Sequence, residues 1–106
     1  MYIESNKKDE SVQRIQGEIN RRFFEILNDL ILDNKVKSVA EFAKQCGLNR
    51  TRYWELSREF GVNPDAGFVS RYREIEILAL IYLNMRYGVS LDYVLRGIGE
   101  KFIAAA

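Results

Sequence analysis

The chain has 106 residues, 47% of them hydrophobic, one cysteine, no histidine and a formal net charge of +1. That apolar content suffices for one compact core without metals or crosslinks, and a lone cysteine excludes an internal disulfide. The longest apolar run, Ile77 to Leu83, is far short of the roughly 20 residues that a membrane-crossing helix needs, and no stretch joins a basic start, an apolar run and a cleavage-like site, so a reducing, cytoplasmic setting is expected.

Residues 5–10, Ser5-Asn6-Lys7-Lys8-Asp9-Glu10, have too little apolar content to pack. The reading is a flexible N-terminal arm over residues 1–10, then one helical domain over residues 11–106. From Ser11 the apolar positions Ile15, Ile19, Phe23, Leu27, Leu30 and Ile31 recur at helical spacing and predict a first helix ending near Asp33. Asn34 to Lys37 is a short polar connection. Ser38-Val39-Ala40-Glu41 has the order of a capping box and starts a second helix, which Gly47 ends after about two turns because it tolerates positive φ.

Asn49 is placed to cap a third helix that carries Tyr53, Leu56 and Phe60 inward and stops before Gly61. Gly61 to Gly67, with Pro64 and Asp65, reads as a loop. A fourth helix is expected from Phe68 or Val69 to Tyr87, ended by Gly88. Ser90 then caps a short fifth helix that Gly97 ends. No alternating stretch of strand length competes, so the fold class is all-α.

Charge is unevenly distributed. Residues 35–58 hold six Lys/Arg against two Asp/Glu, whereas residues 1–34 hold five against seven and residues 59–106 five against six. The local excess fits either a solvated helical face or a surface meeting an anionic partner. The same stretch holds Ala43, Gly47, Leu48, Tyr53 and Leu56 at the offsets a helix-turn-helix needs: a small residue where two helices cross, a turn residue free to be left-handed, and apolar plugs beneath.

Projected at about 100° per residue, the third helix turns Arg50, Thr51, Trp54, Glu55 and Arg58 away from its apolar side. Trp54 belongs outside in this register, and in the core if the helix is rotated. Arg50, in the first turn, suits O6 and N7 of a guanine; Thr51 offers a methyl or hydroxyl to a base edge; Glu55 suits a cytosine amino group or orients Arg52 or Arg58. Ser38 and the amides beside it, with Lys35, Lys37, Lys44, Arg52 and Arg58, are the expected backbone contacts, and Arg71 and Arg73 reach the other flank. Cys46 reads as a small packed side chain, not a redox sensor.

Two segments resemble the Cro and phage-repressor type of helix-turn-helix domain, a five-helix fold. One is Val39-Ala40-Glu41-Phe42-Ala43-Lys44-Gln45-Cys46-Gly47-Leu48-Asn49-Arg50. The other is Tyr87-Gly88-Val89-Ser90-Leu91-Asp92-Tyr93-Val94-Leu95-Arg96-Gly97. Together with the first helix the resemblance covers about residues 18–99. It implies that Asn49, Arg50, Thr51 and Glu55 occupy base-reading positions and that Arg52 and the following loop contact the DNA backbone. The chain lacks the family's glutamine at the start of the third helix and its partner glutamine in the second, and its Gly61–Gly67 loop is longer.

The leading expectation is therefore a sequence-specific DNA-binding transcriptional regulator, a phage-type repressor holding a two-fold operator as a homodimer, with the surplus apolar face of the fourth helix as the symmetric contact. Half-sites would lie roughly 34 Å apart. The alternative is a protein-interaction module, such as an antitoxin or adaptor, using the fourth helix with Phe102 and Ile103. Catalysis is not expected: there is no histidine, phosphate-cradling loop or catalytic serine or cysteine pattern, and neither metal nor cofactor is implied.

Overall fold

A computed structural model describes the backbone of residues 2–103 and the side chains of residues 10–103. The described residues form five α-helices, α1 (Tyr2–Leu32), α2 (Val39–Gln45), α3 (Arg50–Phe60), α4 (Ile77–Tyr87) and α5 (Leu91–Arg96). The nearest thing to a strand among them is one isolated antiparallel bridge, Val89 with Phe102.

Helix α1 is the platform. Phe23, Phe24, Ile26, Leu27 and Leu30 are buried on it, a broader apolar face than the predicted stripe, while Ile15 lies beyond the core and is half exposed. Phe23 is the hub, its ring edge-on to Phe24 at 4.9 Å and to Phe42 at 5.9 Å, and tilted against Tyr53 at 6.0 Å. Edge-to-face pairs at these separations align the positive ring edge with a negative ring face. Asn34, at φ 61°, turns the chain at the end of α1, so that the amides of Lys35 and Val36 both donate to the Leu30 carbonyl and Val36 enters the core.

Two boundaries differ from the sequence reading. The backbone is helical from Tyr2, nine residues before the expected start at Ser11. Of the expected arm, Met1 and the side chains up to Asp9 lie outside the described residues. A helix extends at little cost into Glu4, Lys7, Lys8 and Glu10, because propagation adds one hydrogen bond per residue fixed and residues 2–10 hold no glycine or proline.

The second difference is larger: α4 begins at Ile77, not at Phe68 or Val69, and residues 68–76 run without helix. Their polar backbone groups are taken by side chains of other elements. On α3, Glu59 accepts the Ser70 amide at 2.7 Å, Glu55 the Arg71 amide at 3.2 Å, and the Tyr53 hydroxyl the Glu76 amide at 3.0 Å. Asn20 on α1 donates to the Arg73 carbonyl and Arg52 on α3 to the Glu74 carbonyl, both at 2.9 Å. The Arg73 and Glu74 carbonyls and the Glu76 amide are groups that a helix from Phe68 or Val69 would spend on its own ladder, and here Asn20, Arg52 and Tyr53 take them.

The C-terminal part closes on α1. Gly88 and Gly97 are left-handed and end α4 and α5, and the Ser90 hydroxyl caps α5 by accepting the Tyr93 amide, as read from sequence. Arg22 donates to the carbonyls of Val94 and Leu95. Lys101 reaches Asp29 at 3.0 Å and Glu25 at 3.2 Å, while the Tyr93 hydroxyl donates to Glu25 and holds that carboxylate below its usual range.

The Tyr53 hydroxyl is the most constrained of these groups. It accepts the Glu76 amide and donates to Glu76 Oε1 at 3.2 Å, and burial raises its pKa. Tyr53→Phe removes that acceptor and leaves the amide in front of α4 without a partner. Urea unfolding is expected to show a loss of about 1 to 3 kcal/mol; a variant as stable as the parent would mean that the hydroxyl does not hold the α3–α4 connection.

Candidate nucleic-acid interface

Helices α2 and α3 pack against each other, and Ala43 of α2 is fully buried. The connection is Cys46-Gly47-Leu48-Asn49. Gly47 is at φ +71°, and the Leu48 amide folds back to the Ala43 carbonyl at 2.8 Å. Desolvation raises the Cys46 thiol to about 11, which suits a packing role, since the thiolate is the reactive form. Ser38 Oγ accepts the Glu41 amide at 3.1 Å and Asn49 Oδ1 the Arg52 amide at 3.1 Å, so each helix has the N-cap that the sequence assigns to it.

The inward side of α3 matches the projection, with Tyr53 and Leu56 fully buried and Phe60 nearly so. Arg50 and Thr51 are exposed in its first turn. Trp54 is outside the core, 54% exposed, with the Arg58 guanidinium stacked 4.7 Å from its ring centroid. Asn49 is exposed as well, with its amide oxygen committed to the cap.

Glu55 corrects the projection. It is 7% exposed and receives Arg71 Nη2 at 2.5 Å and Nε at 3.0 Å. The base-reading role assigned to it requires an outward carboxylate; this one faces the segment after α3. On the helical wheel it shares a face with Arg52 and Glu59, and the segment that bonds all three, residues 70–74, covers that face. The Arg71 hydrogen bonds hold its carboxyl below the usual carboxylate range, and the same pairing raises the Arg71 guanidinium further.

The expected backbone-contacting cations divide into two groups. Arg52 lies against Glu76 at 3.6 Å and over the Tyr72 ring, Arg58 pairs with Asp65 at 2.5 Å, Arg71 with Glu55 and Arg73 with Glu59. These arginines, which the sequence reading had as phosphate ligands, brace α3 against residues 65–76, each beside an acid, with Arg71 and Arg73 still largely exposed. Lys35 lies 3.5 Å from Asp33. Among the described residues Lys37, Lys44 and Arg50 make no ion pair, and all three are exposed on or beside α2 and α3. Two of the six middle-third cations, Arg52 and Arg58, are thus met by acids that follow them in the chain.

The projection passed over Ala40. It is exposed on α2, four residues before Lys44 and on the same helical face, and with Arg50, Thr51 and Trp54 it lines an open groove of about 300 Å³. A small residue facing three residues of the next helix is the signal for it. Among the described residues no group of three or more His, Cys, Asp or Glu is placed to hold a metal ion, and no helix is long and apolar enough to cross a membrane. Compared with protein-family models, curated proteins and solved structures, the chain has no significant match.

The depressed Glu55 value makes a pH prediction. A folded-state value below the unfolded one means that the carboxylate stabilises the fold at neutral pH and that this contribution fades as pH falls through the folded value. Glu55→Gln is expected to be less stable than the parent at neutral pH and to converge on it below about pH 4, near the carboxylate's ordinary value. A stability gap that stays constant over that interval in denaturant titrations would rule out ion pairing as the contribution of Glu55.

Proposed function

We propose that this chain is a sequence-specific DNA-binding transcriptional regulator of the phage-repressor helix-turn-helix type, reading a two-fold operator as a dimer. The observation that carries the reading is the orientation of α3. Tyr53, Leu56 and Phe60 are buried, its cap is made, and its first turn holds Arg50 and Thr51 in solvent. A rigid capped helix with an arginine fork at its N-terminal end suits the major groove, where guanine O6 and N7 match the spacing of guanidinium donors. Lys37 and Lys44 supply phosphate contacts on the adjoining helix, giving affinity without choosing sequence.

The dimer contact proposed is the outer face of α4. Ile77 is 73% exposed, Leu78 52%, Ile81 40% and Met85 78%. Ile77, Ile81 and Met85 recur every four residues and form one stripe, and a two-fold contact would pair the stripe with itself.

A second reading, a protein-interaction module with DNA contact secondary or absent, is favoured by the same α4 face and by the acids that occupy Arg52, Arg58, Arg71 and Arg73. Salt separates the two. Lys37, Lys44 and Arg50, the three unpaired cations on or beside α2 and α3, make six in a dimer and give log affinity against log salt a slope of about −5, whereas an apolar protein contact is nearly indifferent to salt.

Selection of bound duplexes from a random pool is expected to return a two-fold motif, with Arg50→Ala losing preference at one position per half-site by roughly 1 to 3 kcal/mol. An unenriched pool would overturn the regulator reading. For the dimer, Ile77→Glu combined with Met85→Glu is expected to convert the chain to monomer in sedimentation without lowering its melting temperature, since both side chains are largely in solvent within one protomer. Persistence of the dimer would place the contact elsewhere.

A further inference from the structure

The groove between α2 and α3 has a different chemistry from the charged rim around it. Its lining is Ala40, Thr51, Trp54 and Arg50: a methyl group, a second methyl beside a hydroxyl, an indole face, and one guanidinium. Large aromatic rings usually end mostly buried, so a half-exposed tryptophan on the outward side of α3 calls for an account.

The Trp54 ring is also held in place. Arg58 stacks on it at 4.7 Å, and the same guanidinium lies 4.0 Å from the Phe68 ring centroid while its Nε donates to Asp65 at 2.5 Å. Ser57 Oγ donates to the Trp54 carbonyl at 2.7 Å. Arg58 therefore links the ring to the loop beyond α3 on one side and leaves the rest of it in solvent.

From this we infer that the Ala40–Thr51–Trp54 groove receives the methyl-bearing edge of a thymine in the major groove, making Trp54 and Ala40 specificity-determining residues beside Arg50. The inference rests on the DNA-binding reading. In the major groove thymine alone presents an apolar group, its C5 methyl, whereas the exposed edges of guanine, adenine and cytosine carry donors and acceptors that an apolar groove would leave unpaired. The O4 acceptor next to that methyl meets the two donors at the rim, the Thr51 hydroxyl and the Arg50 fork. Lys44, one turn along α2 from Ala40, and Arg50 are unpaired cations on either side, which fits an occupant carried on a phosphate backbone.

The test uses the full chain and the duplexes it selects. Each thymine of the enriched motif is replaced in turn by deoxyuridine, which deletes the methyl group and leaves Watson–Crick pairing unchanged. One thymine per half-site is expected to lose affinity about fourfold per protomer, the transfer value of one buried methyl. In Trp54→Ala, checked for an unchanged melting temperature, the thymine and uracil duplexes should bind alike. A selected motif in which no thymine is sensitive to its methyl, or a Trp54→Ala protein that keeps the parent's thymine-to-uracil ratio, overturns the inference and leaves the regulator reading standing. A pool with no enriched duplex overturns both.

Discussion

The arrangement of the molecule depends on α3 side chains claiming the backbone of residues 70–76. Tyr53, Glu55 and Glu59 take three amides and Arg52 takes a carbonyl, and Asn20 adds a bond from α1. These bonds hold the segment along the flank of α3 outside any helix until α4 begins at Ile77, and bring Arg71 and Arg73 to the carboxylates of Glu55 and Glu59. The outward face of α3 is narrowed in consequence to Asn49, Arg50, Thr51, Trp54 and the stacked Arg58.

Much of this was legible in the sequence where a local rule had no competitor. Ser38, Asn49 and Ser90 each cap the helix assigned to them, and Gly47, Gly88 and Gly97 each adopt the left-handed conformation expected of a helix-ending glycine. The inward set of α3 and the exposed first turn also follow from periodicity. The start of α4 did not, because Phe68, Tyr72 and Ile75 fall at helical spacing and no local signal overrides them.

The missing signal lies between two segments. Glu55 and Glu59 share one face of α3, and each pairs with an arginine of the later segment, Glu55 with Arg71 and Glu59 with Arg73. Nothing within residues 68–76 reveals this, since the partners lie 14 to 16 residues back. Long-range pairing also explains why charge counted along residues 35–58 overstated the free positive surface: Arg52 and Arg58 sit against Glu76 and Asp65, and Lys37, Lys44 and Arg50 remain.

The uneven loading of α1 has a consequence for its motions. Residues 10–15 are all exposed, whereas Asn20, Phe23, Phe24, Ile26, Leu27 and Leu30 are buried under α2, α3 and the C-terminal segments. Backbone amides in the first stretch need only a local opening to exchange their hydrogens with solvent. Those from Phe23 to Leu30 are released only when the whole core comes apart, so one continuous helix spans nearly the full range of opening free energies in the molecule.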